Sequence, residues 1–228
     1  MDLQNSLKIK AIILDYGEVL CHPPTSEELG RMANMFSVGS DLFHQLWERN
    51  RGLYDRGDLT PQAYWTQLAE DANLKLGPEQ FKQVCQWDVE MWAHPNLAMV
   101  EWLKEIHSSG MKTAILSNMH PDMICYARKK FAWLNYFDHH TFSAEVRLIK
   151  PDPAIYQHSL RGVAVAPSEA LFVDDREPNI LAARALGICA IQFRSLAQFR
   201  RDLAKLGFPI LPLDGNLRSS TSQASVVF

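Results

Sequence analysis

Near its N-terminus the chain reads Ile12-Ile13-Leu14-Asp15-Tyr16-Gly17-Glu18-Val19-Leu20, in which an apolar run stops at a single carboxylate. The run begins at residue 9, and its length and its Ile and Leu content predict a buried strand of a parallel sheet, with a buried helical turn as the alternative. Similar apolar runs cover residues 113–116 and 170–173, and weaker ones cover residues 140–142 and 188–193. The sequence therefore predicts three to five strands, of which the first ends at Asp15.

Helical patterns alternate with these runs in the second half of the chain. Residues 95–109 carry apolar side chains at helical spacing and are followed by a glycine, which is typical of a helix end. Asp152-Pro153 and Glu177-Pro178 each indicate the start of a further helix. This alternation predicts an α/β fold, a doubly wound (Rossmann-like) parallel sheet covered by helices on both faces.

The segment 21–94 breaks the alternation, because it contains helical patterns and no convincing strand. We expect helices over residues 26–36, 41–51, 61–72 and 78–92. The segment is therefore predicted to be a helical cap, inserted into a Rossmann-like core that is formed by residues 8–20 and 95–212. Residues 213–228 are rich in polar side chains, and we expect them to form a mobile tail.

The predicted strands end in polar side chains, namely Asp15, Ser117-Asn118 and Asp174-Asp175. In a doubly wound sheet, ligands bind outside the carboxyl ends of the strands, so neighbouring strands would bring these side chains into one cleft. Two carboxylates about 4 Å apart repel each other by about 4 kcal/mol at an effective dielectric constant of about 20, so the cluster requires a cation. Oxygen ligands without His or Cys favour Mg²⁺. Lys150, in a predicted loop, could reach the same cleft and help to bind a phosphoryl group.

Four segments, in order and at the expected spacing, resemble the motifs of the haloacid dehalogenase superfamily. They are residues 12–20, Leu116-Ser117-Asn118, Lys150-Pro151, and Phe172-Val173-Asp174-Asp175 with Asn179. The resemblance covers residues 8–212, and the position of the cap matches the helical C1 cap of this superfamily. It implies a hydrolase that uses Mg²⁺ and acts on a small phosphorylated metabolite.

The resemblance also implies a role for each motif residue. Asp15 would attack phosphorus and form an aspartyl-phosphate intermediate. Ser117 and the backbone amide of Asn118 would bind the phosphoryl oxygens, and Lys150 would neutralise developing charge and position Asp15.

The implied metal ligands are Asp15, the carbonyl oxygen of Gly17, and Asp175. Asp174 would bind the metal directly or through water. Asn179 would either order Asp175 or cap the following helix.

Gly17 departs from the usual motif of the superfamily's phosphatases, which carry a second Asp at this position as general acid and base. The sequence is similar here to a subgroup that includes α-glucose-1-phosphate phosphatase and the N-terminal phosphatase of epoxide hydrolases, which favours a sugar phosphate as substrate. Glu18, His22 and His120 are candidates to replace the missing acid.

Three other functions are compatible with parts of the pattern. A 2-haloacid dehalogenase would use a similar Asp without metal, but such enzymes usually carry Ser-Asn where this chain has Asp174-Asp175. A non-catalytic phosphate-binding module could have lost the second Asp, although the retained Asp15 and Lys150 disfavour this. A phosphomutase is the weakest alternative, because phosphoryl shuttling depends on the Asp that Gly17 replaces.

Composition limits the partners and the location of the protein. The chain has 228 residues, 47% of them hydrophobic, and a formal net charge of −3, which gives no electrostatic basis for binding nucleic acid or an anionic membrane. No apolar run approaches the ~20 residues of a membrane span. The four cysteines form no C-x-x-C pair, which favours inert thiols in a reducing cytoplasm. Nothing in the sequence indicates an oligomeric state.

The predicted cap is rich in aromatic side chains, among them Trp47, Tyr54, Trp65, Trp87 and Trp92. Aromatic residues at helical spacing belong more often to a core than to a ligand-binding surface. Arg49 and Arg51 are the candidates in this segment for a contact with a substrate anion.

Overall fold

The structure, a computed structural model, describes residues 9–208 of the chain. Its five strands are β1 (Ala11–Leu14), β2 (Lys112–Ser117), β3 (His139–Phe142), β4 (Ala170–Asp174) and β5 (Cys189–Gln192). They form one parallel sheet in the order β3-β2-β1-β4-β5. The predicted α/β fold class is therefore confirmed. The tail predicted at residues 213–228 and the outer ends of the predicted core lie outside the described residues.

Eleven α-helices are present within residues 9–208. They are α1 (Ser26–Met35), α2 (Ser40–Arg49), α3 (Arg51–Asp55), α4 (Pro61–Asp71), α5 (Pro78–Glu90), α6 (Leu97–Ser108), α7 (Pro121–Lys130), α8 (Ser143–Val146), α9 (Pro153–Val163), α10 (Glu177–Ala185) and α11 (Leu196–Lys205). The structure corrects one of the predicted helices, because residues 41–51 belong to two helices, α2 and α3, and not to one. They are separated at Asn50, whose φ of −118° leaves the helical region, and asparagine is a weak helix former.

The sheet is buried on both faces, as a doubly wound fold requires. In β1 the side chains of Ile12 and Leu14 pack into one hydrophobic cluster, with helices α6, α7 and α11. Ala11 and Ile13, which point the other way, pack into a second cluster with α9 and α10. This explains why β1 is a continuous apolar run without polar alternation.

Helices α1 to α5 lie between β1 and α6 in the sequence and share a third hydrophobic cluster, to which Phe36, Tyr64 and Trp65 contribute. The chain leaves and rejoins the sheet region at one place, where Cys21 and Pro95 form an antiparallel bridge. We propose that α1 to α5 form the cap domain that the sequence predicts.

The site lies where the sheet order reverses. The chain runs from β1 outward to β2 and β3 on one side, and then returns to β4 on the other side of β1. Leu14 is in register with Ile115 of β2 and Val173 of β4, so the residues that follow meet at one edge of the sheet. Such a switch point is where open α/β sheets bind their ligands.

The sequence composition also led to expectations about membrane spans and cysteines. Within residues 9–208, no helix is both long enough and apolar enough to cross a membrane. The four cysteines are free thiols, of which Cys21 is buried and Cys125 is exposed.

Candidate active site

Asp15, directly after β1, forms the centre of the site. The residue is only 6% exposed, and its Oδ1 atom accepts a hydrogen bond of 2.7 Å from the backbone N–H of Tyr16. The same oxygen lies 2.7 Å from Lys150 Nζ. Lys150 Nζ also donates to Asp174 Oδ2 at 2.7 Å, so one buried ammonium group bridges the ends of β1 and β4.

Lys150 is held in place by the side chain of Asn118. Asn118 Oδ1 accepts a hydrogen bond of 2.8 Å from the backbone N–H of Lys150, and Asn118 Nδ2 donates to the Lys150 carbonyl at 3.1 Å. The sequence predicts a role only for the backbone amide of Asn118. The observed contact is a tertiary one between residues 32 positions apart, which no local pattern encodes.

The carboxylate of Asp174 accepts more hydrogen bonds than the sequence predicts. Asn179 Nδ2 donates to both of its oxygens, at 2.9 and 3.0 Å, and the Arg176 N–H donates to Oδ1 at 2.8 Å. The expectation that Asn179 orders Asp175 or caps a helix therefore differs from the observed contact. Asp174, the last residue of β4, presents its carboxylate to the first turn of α10, where Asn179 lies. The Asp175 carbonyl instead accepts from Gln192.

Asp15, Asp174 and Asp175 each present one oxygen within 4.8 Å of the others. Burial, followed by the negative charges of its neighbours, raises the pKa of Asp15 to about 8, although Lys150 acts in the opposite direction. Burial and the Asp174 charge raise the pKa of Asp175 to about 6. The Lys150 pKa is also raised, because the two aspartates outweigh the effect of its burial.

This electrostatic imbalance fits a divalent cation. Three carboxylates lie close to a single ammonium group. Burial, and then neighbouring negative charge, raises the pKa of Asp15 and of Asp175, so a second positive charge would favour their ionised forms. All three ligands offer oxygen only, which matches the preference of Mg²⁺ and not that of zinc.

Ser117, Asn118 and Gly17 line the same cavity as Asp15 and Lys150. The structure thus brings together the motif residues named from the sequence, while their individual roles stay predictions. A Cβ atom built on Gly17 would contact only the Trp92 ring, at 3.8 Å, so packing at Cβ does not require glycine here.

The cavity above these residues has a volume of about 740 Å³ and lies between the sheet edge and helices α1 to α3. Of the three candidates for the missing acid, Glu18 and His120 are among the residues that line it, and His22 is not. Both ring nitrogens of His120 are buried without a hydrogen-bond partner, and burial lowers the pKa of His120 to about 4. Glu18 is exposed, which makes it the more accessible proton donor.

A buried charged cluster lies beside the cavity. Arg51 Nε donates to Asp55 Oδ1 at 3.0 Å, and its Nη1 donates to Asp88 Oδ1 at 2.8 Å. His120 Nε2 lies 3.3 Å from Asp88 Oδ2 and its ring stacks on Tyr54. Arg51 is therefore already neutralised by protein carboxylates.

Two other side chains connect the site to its surroundings and carry no signal in the sequence. Ser143, at the start of α8, accepts a hydrogen bond from the Met119 N–H at 2.8 Å and donates to the Asp55 carbonyl. The Tyr16 hydroxyl donates to the Trp92 carbonyl. Both link the site to the segment 21–94, the first through α3 and the second just after α5. Arg49 pairs with Asp71 and does not line the cavity.

Comparison with known proteins identifies the class to which this fold and site belong. Residues 9–187 match the model of the haloacid dehalogenase-like hydrolases, and the chain belongs to this family. It is therefore a hydrolase, and phosphatases are among its relatives.

Sesquiterpene phosphatase astK of Aspergillus oryzae is 26% identical over 186 residues, which are 80% of this chain and 88% of astK. D-ribitol-5-phosphate phosphatase of Bacteroides thetaiotaomicron is 26% identical over 208 residues, 86% of this chain and 97% of that enzyme. Drimenol cyclase drtB of Aspergillus calidoustus is 25% identical over 87% of this chain, which spans only 36% of the cyclase.

The fold also resembles solved structures. A family enzyme from Bacteroides thetaiotaomicron, in complex with magnesium and inorganic phosphate, aligns with a TM-score of 0.68 over 84% of this chain and 98% of that one. Its sequence is 20% identical, so this likeness concerns the fold.

Proposed function

We propose that the protein is a Mg²⁺-dependent phosphatase that hydrolyses a small phosphate monoester through an aspartyl-phosphate on Asp15. The observation that carries this proposal is the buried Asp15–Lys150–Asp174 arrangement, with both Nζ to oxygen distances at 2.7 Å. Such an arrangement provides a nucleophile, a fixed cation and a carboxylate cluster that requires a metal ion.

In the proposed reaction, a carboxylate oxygen of Asp15 attacks phosphorus while the bond between phosphorus and the alcohol oxygen breaks. Glu18, the accessible candidate acid, gives a proton to the alcohol oxygen as it leaves. Water then attacks the phosphorus of the aspartyl-phosphate and returns a proton to Glu18, and the bond between phosphorus and the Asp15 oxygen breaks to release inorganic phosphate. Ser117 and the Asn118 N–H bind the phosphoryl oxygens, and Lys150 keeps Asp15 in position. Asp15, the Gly17 carbonyl, Asp175 and Asp174 would hold Mg²⁺, which supplies positive charge to the phosphoryl group.

The alcohol half of the substrate is a separate question. The motif resemblance favours a sugar phosphate, and one relative is named for D-ribitol 5-phosphate, whereas another is named for a sesquiterpene substrate. All of these are phosphate esters of small metabolites, which is the partner that we propose.

The test is the release of inorganic phosphate from p-nitrophenyl phosphate and a panel of alkyl and sugar phosphates. We expect turnover that requires Mg²⁺, is abolished by EDTA, and falls by at least about 10³-fold in Asp15→Asn, because that variant lacks the nucleophile. Asp41→Asn is the matched control, since Asp41 is an exposed aspartate in the first turn of α2.

Two outcomes would point to the rival functions. Release of halide from a 2-haloacid without Mg²⁺ would identify a dehalogenase. Phosphate binding by a folded protein that turns over neither class of compound would identify a non-catalytic module.

A further inference from the structure

Beyond the carboxylates, the cavity is walled by apolar side chains from both of its sides. The helical segment contributes Leu29, Trp47 and Trp92, and the sheet side contributes Met119, Met123 and Ile149. Trp47 and Trp92 stack with their ring centroids 6.4 Å apart and form one aromatic wall. A cavity of about 740 Å³ is much larger than a phosphate group requires, so these walls surround the alcohol half of the substrate.

The charged side chains in these walls already bind one another. Arg51 and Asp55 are bound to each other, and Arg51 is also bound to Asp88. The indole nitrogens of Trp47 and Trp92 and both nitrogens of His120 are buried away from solvent. These three rings therefore present carbon to the cavity.

Most of the other polar lining residues fall into two groups. Asp15, Ser117, Asn118, Lys150, Asp175 and Asn179 belong to the proposed phosphate and metal site, whereas Glu18, His44, Glu48 and Arg176 are exposed. A sugar bound in the middle would bury several hydroxyl groups without partners, and each unpaired group weakens binding by roughly 5- to 150-fold. An apolar group at the same place gains affinity from burial.

We propose that the preferred substrate is the monophosphate ester of an apolar alcohol, such as a long alkyl or isoprenoid chain, and not a sugar phosphate. This inference rests on the proposed phosphatase function. A single phosphate fits better than a diphosphate, because both buried cations that line the cavity, Lys150 and Arg51, are already paired with carboxylates.

The test compares n-octyl phosphate with D-ribitol 5-phosphate, since both are esters of primary alcohols. We expect kcat/KM for octyl phosphate to exceed that for ribitol 5-phosphate by at least about tenfold. In the series ethyl, butyl and octyl phosphate, kcat/KM should rise by up to about fourfold per CH₂, which corresponds to about 0.8 kcal/mol of burial.

The variant Leu29→Asp places a charge in the apolar wall and should reduce the dependence on chain length. Leu42→Asp is the matched control, because Leu42 is 47% exposed and does not line the cavity. Thermal melting shows whether both variants are folded, and Trp47→Ala replaces Leu29→Asp if the latter unfolds.

Equal or better turnover of ribitol 5-phosphate, or no gain with chain length, would overturn the inference while leaving the phosphatase function intact. Absence of turnover even of p-nitrophenyl phosphate would overturn the proposed function, and the inference with it.

Discussion

Gly17 is the residue at which this chain differs most in chemistry from the usual phosphatase motif. It lies two residues after the proposed nucleophile and lines the cavity. Without a carboxylate there, the leaving alcohol must obtain its proton elsewhere. Glu18 is near enough for its charge to contribute to the raised pKa of Asp175, and its φ of 54° is unusual for a residue other than glycine.

Gly17→Asp should restore a general acid. The new Cβ would meet only the Trp92 ring at 3.8 Å, so the backbone need not move. We expect kcat for octyl phosphate to rise by at least about tenfold, since positioned acids contribute 10²–10⁴-fold, whereas p-nitrophenyl phosphate needs no proton at its leaving group and should gain less. Steady-state kinetics on the two esters measures this.

Gly39→Asp is the control for that experiment, because Gly39 has open space around it and does not line the cavity. Equal gains on both esters would argue against proton donation. A loss on both would indicate that an added negative charge disturbs the carboxylate cluster.

At the scale of elements, the sequence predicts the ends of strands well and the contacts between loops poorly. Asp15, Ser117 and Asp174 could be assigned because an apolar run must end where the chain leaves the sheet, and the register of β1 with its neighbours brings those ends together. The Asn118 side-chain bonds to Lys150 depend on where two loops meet in space. Local periodicity holds no information about such a contact.

Asn118→Ala should therefore impair catalysis through the position of Lys150. It removes two hydrogen bonds to the Lys150 backbone and keeps the Asn118 N–H that is proposed to bind phosphate. We expect a loss of roughly 10- to 100-fold in kcat with a smaller change in KM, measured by phosphate release. Each lost bond also lowers the free energy of unfolding by about 1 kcal/mol.

Asn96→Ala provides the comparison for this variant. Asn96 Nδ2 donates to the Val19 carbonyl at 3.1 Å, a similar bond away from Lys150. If both variants lose kcat equally, the effect of Asn118→Ala is general destabilisation and not displacement of Lys150.

For the molecule as a whole, the buried cluster joins the proposed cap to the sheet domain. Arg51 and Asp55 lie on α3, Asp88 lies on α5, and His120 is the N-cap of α7. Removing one member of such a cluster leaves the other charges buried without a partner. The loss of one member therefore lowers the free energy of unfolding by more than the intact cluster contributes to it. Sequence patterns cannot predict this cluster, because its members come from three separate elements.

This cluster should give two opposite contributions to stability as pH changes. Burial raises the pKa of Asp55 to about 7 from its ordinary value of 3.8, and the Asp88 charge adds to this while Arg51 opposes it. Between about pH 4 and 7 the folded protein then holds more protons at Asp55 than the unfolded chain does, so the Asp55 contribution to stability falls as pH rises. His120 behaves oppositely, because its pKa is about 4 when folded and 6.5 when unfolded, and its contribution rises over that interval.

In the natural protein, the opposite effects of Asp55 and His120 on the pH dependence of the free energy of unfolding should largely cancel between about pH 4 and 6.5. Single variants should separate the two effects. In His120→Phe, which retains an aromatic ring beside Tyr54, the stability relative to the natural protein should increase as pH falls from 6.5 to 4.5. In Asp55→Asn the relative stability should decrease over the same interval. Each slope is limited to about 1.4 kcal/mol per pH unit, since each variant removes one proton-binding group.

Urea unfolding at several pH values measures these differences in the free energy of unfolding. Subtracting the value for the natural protein removes the contribution of the carboxylates at the metal site. His44→Phe, which removes an exposed histidine outside the cluster, is the matched control. If the differences for both His120→Phe and Asp55→Asn were independent of pH, the cluster would neither lower the pKa of His120 nor raise that of Asp55.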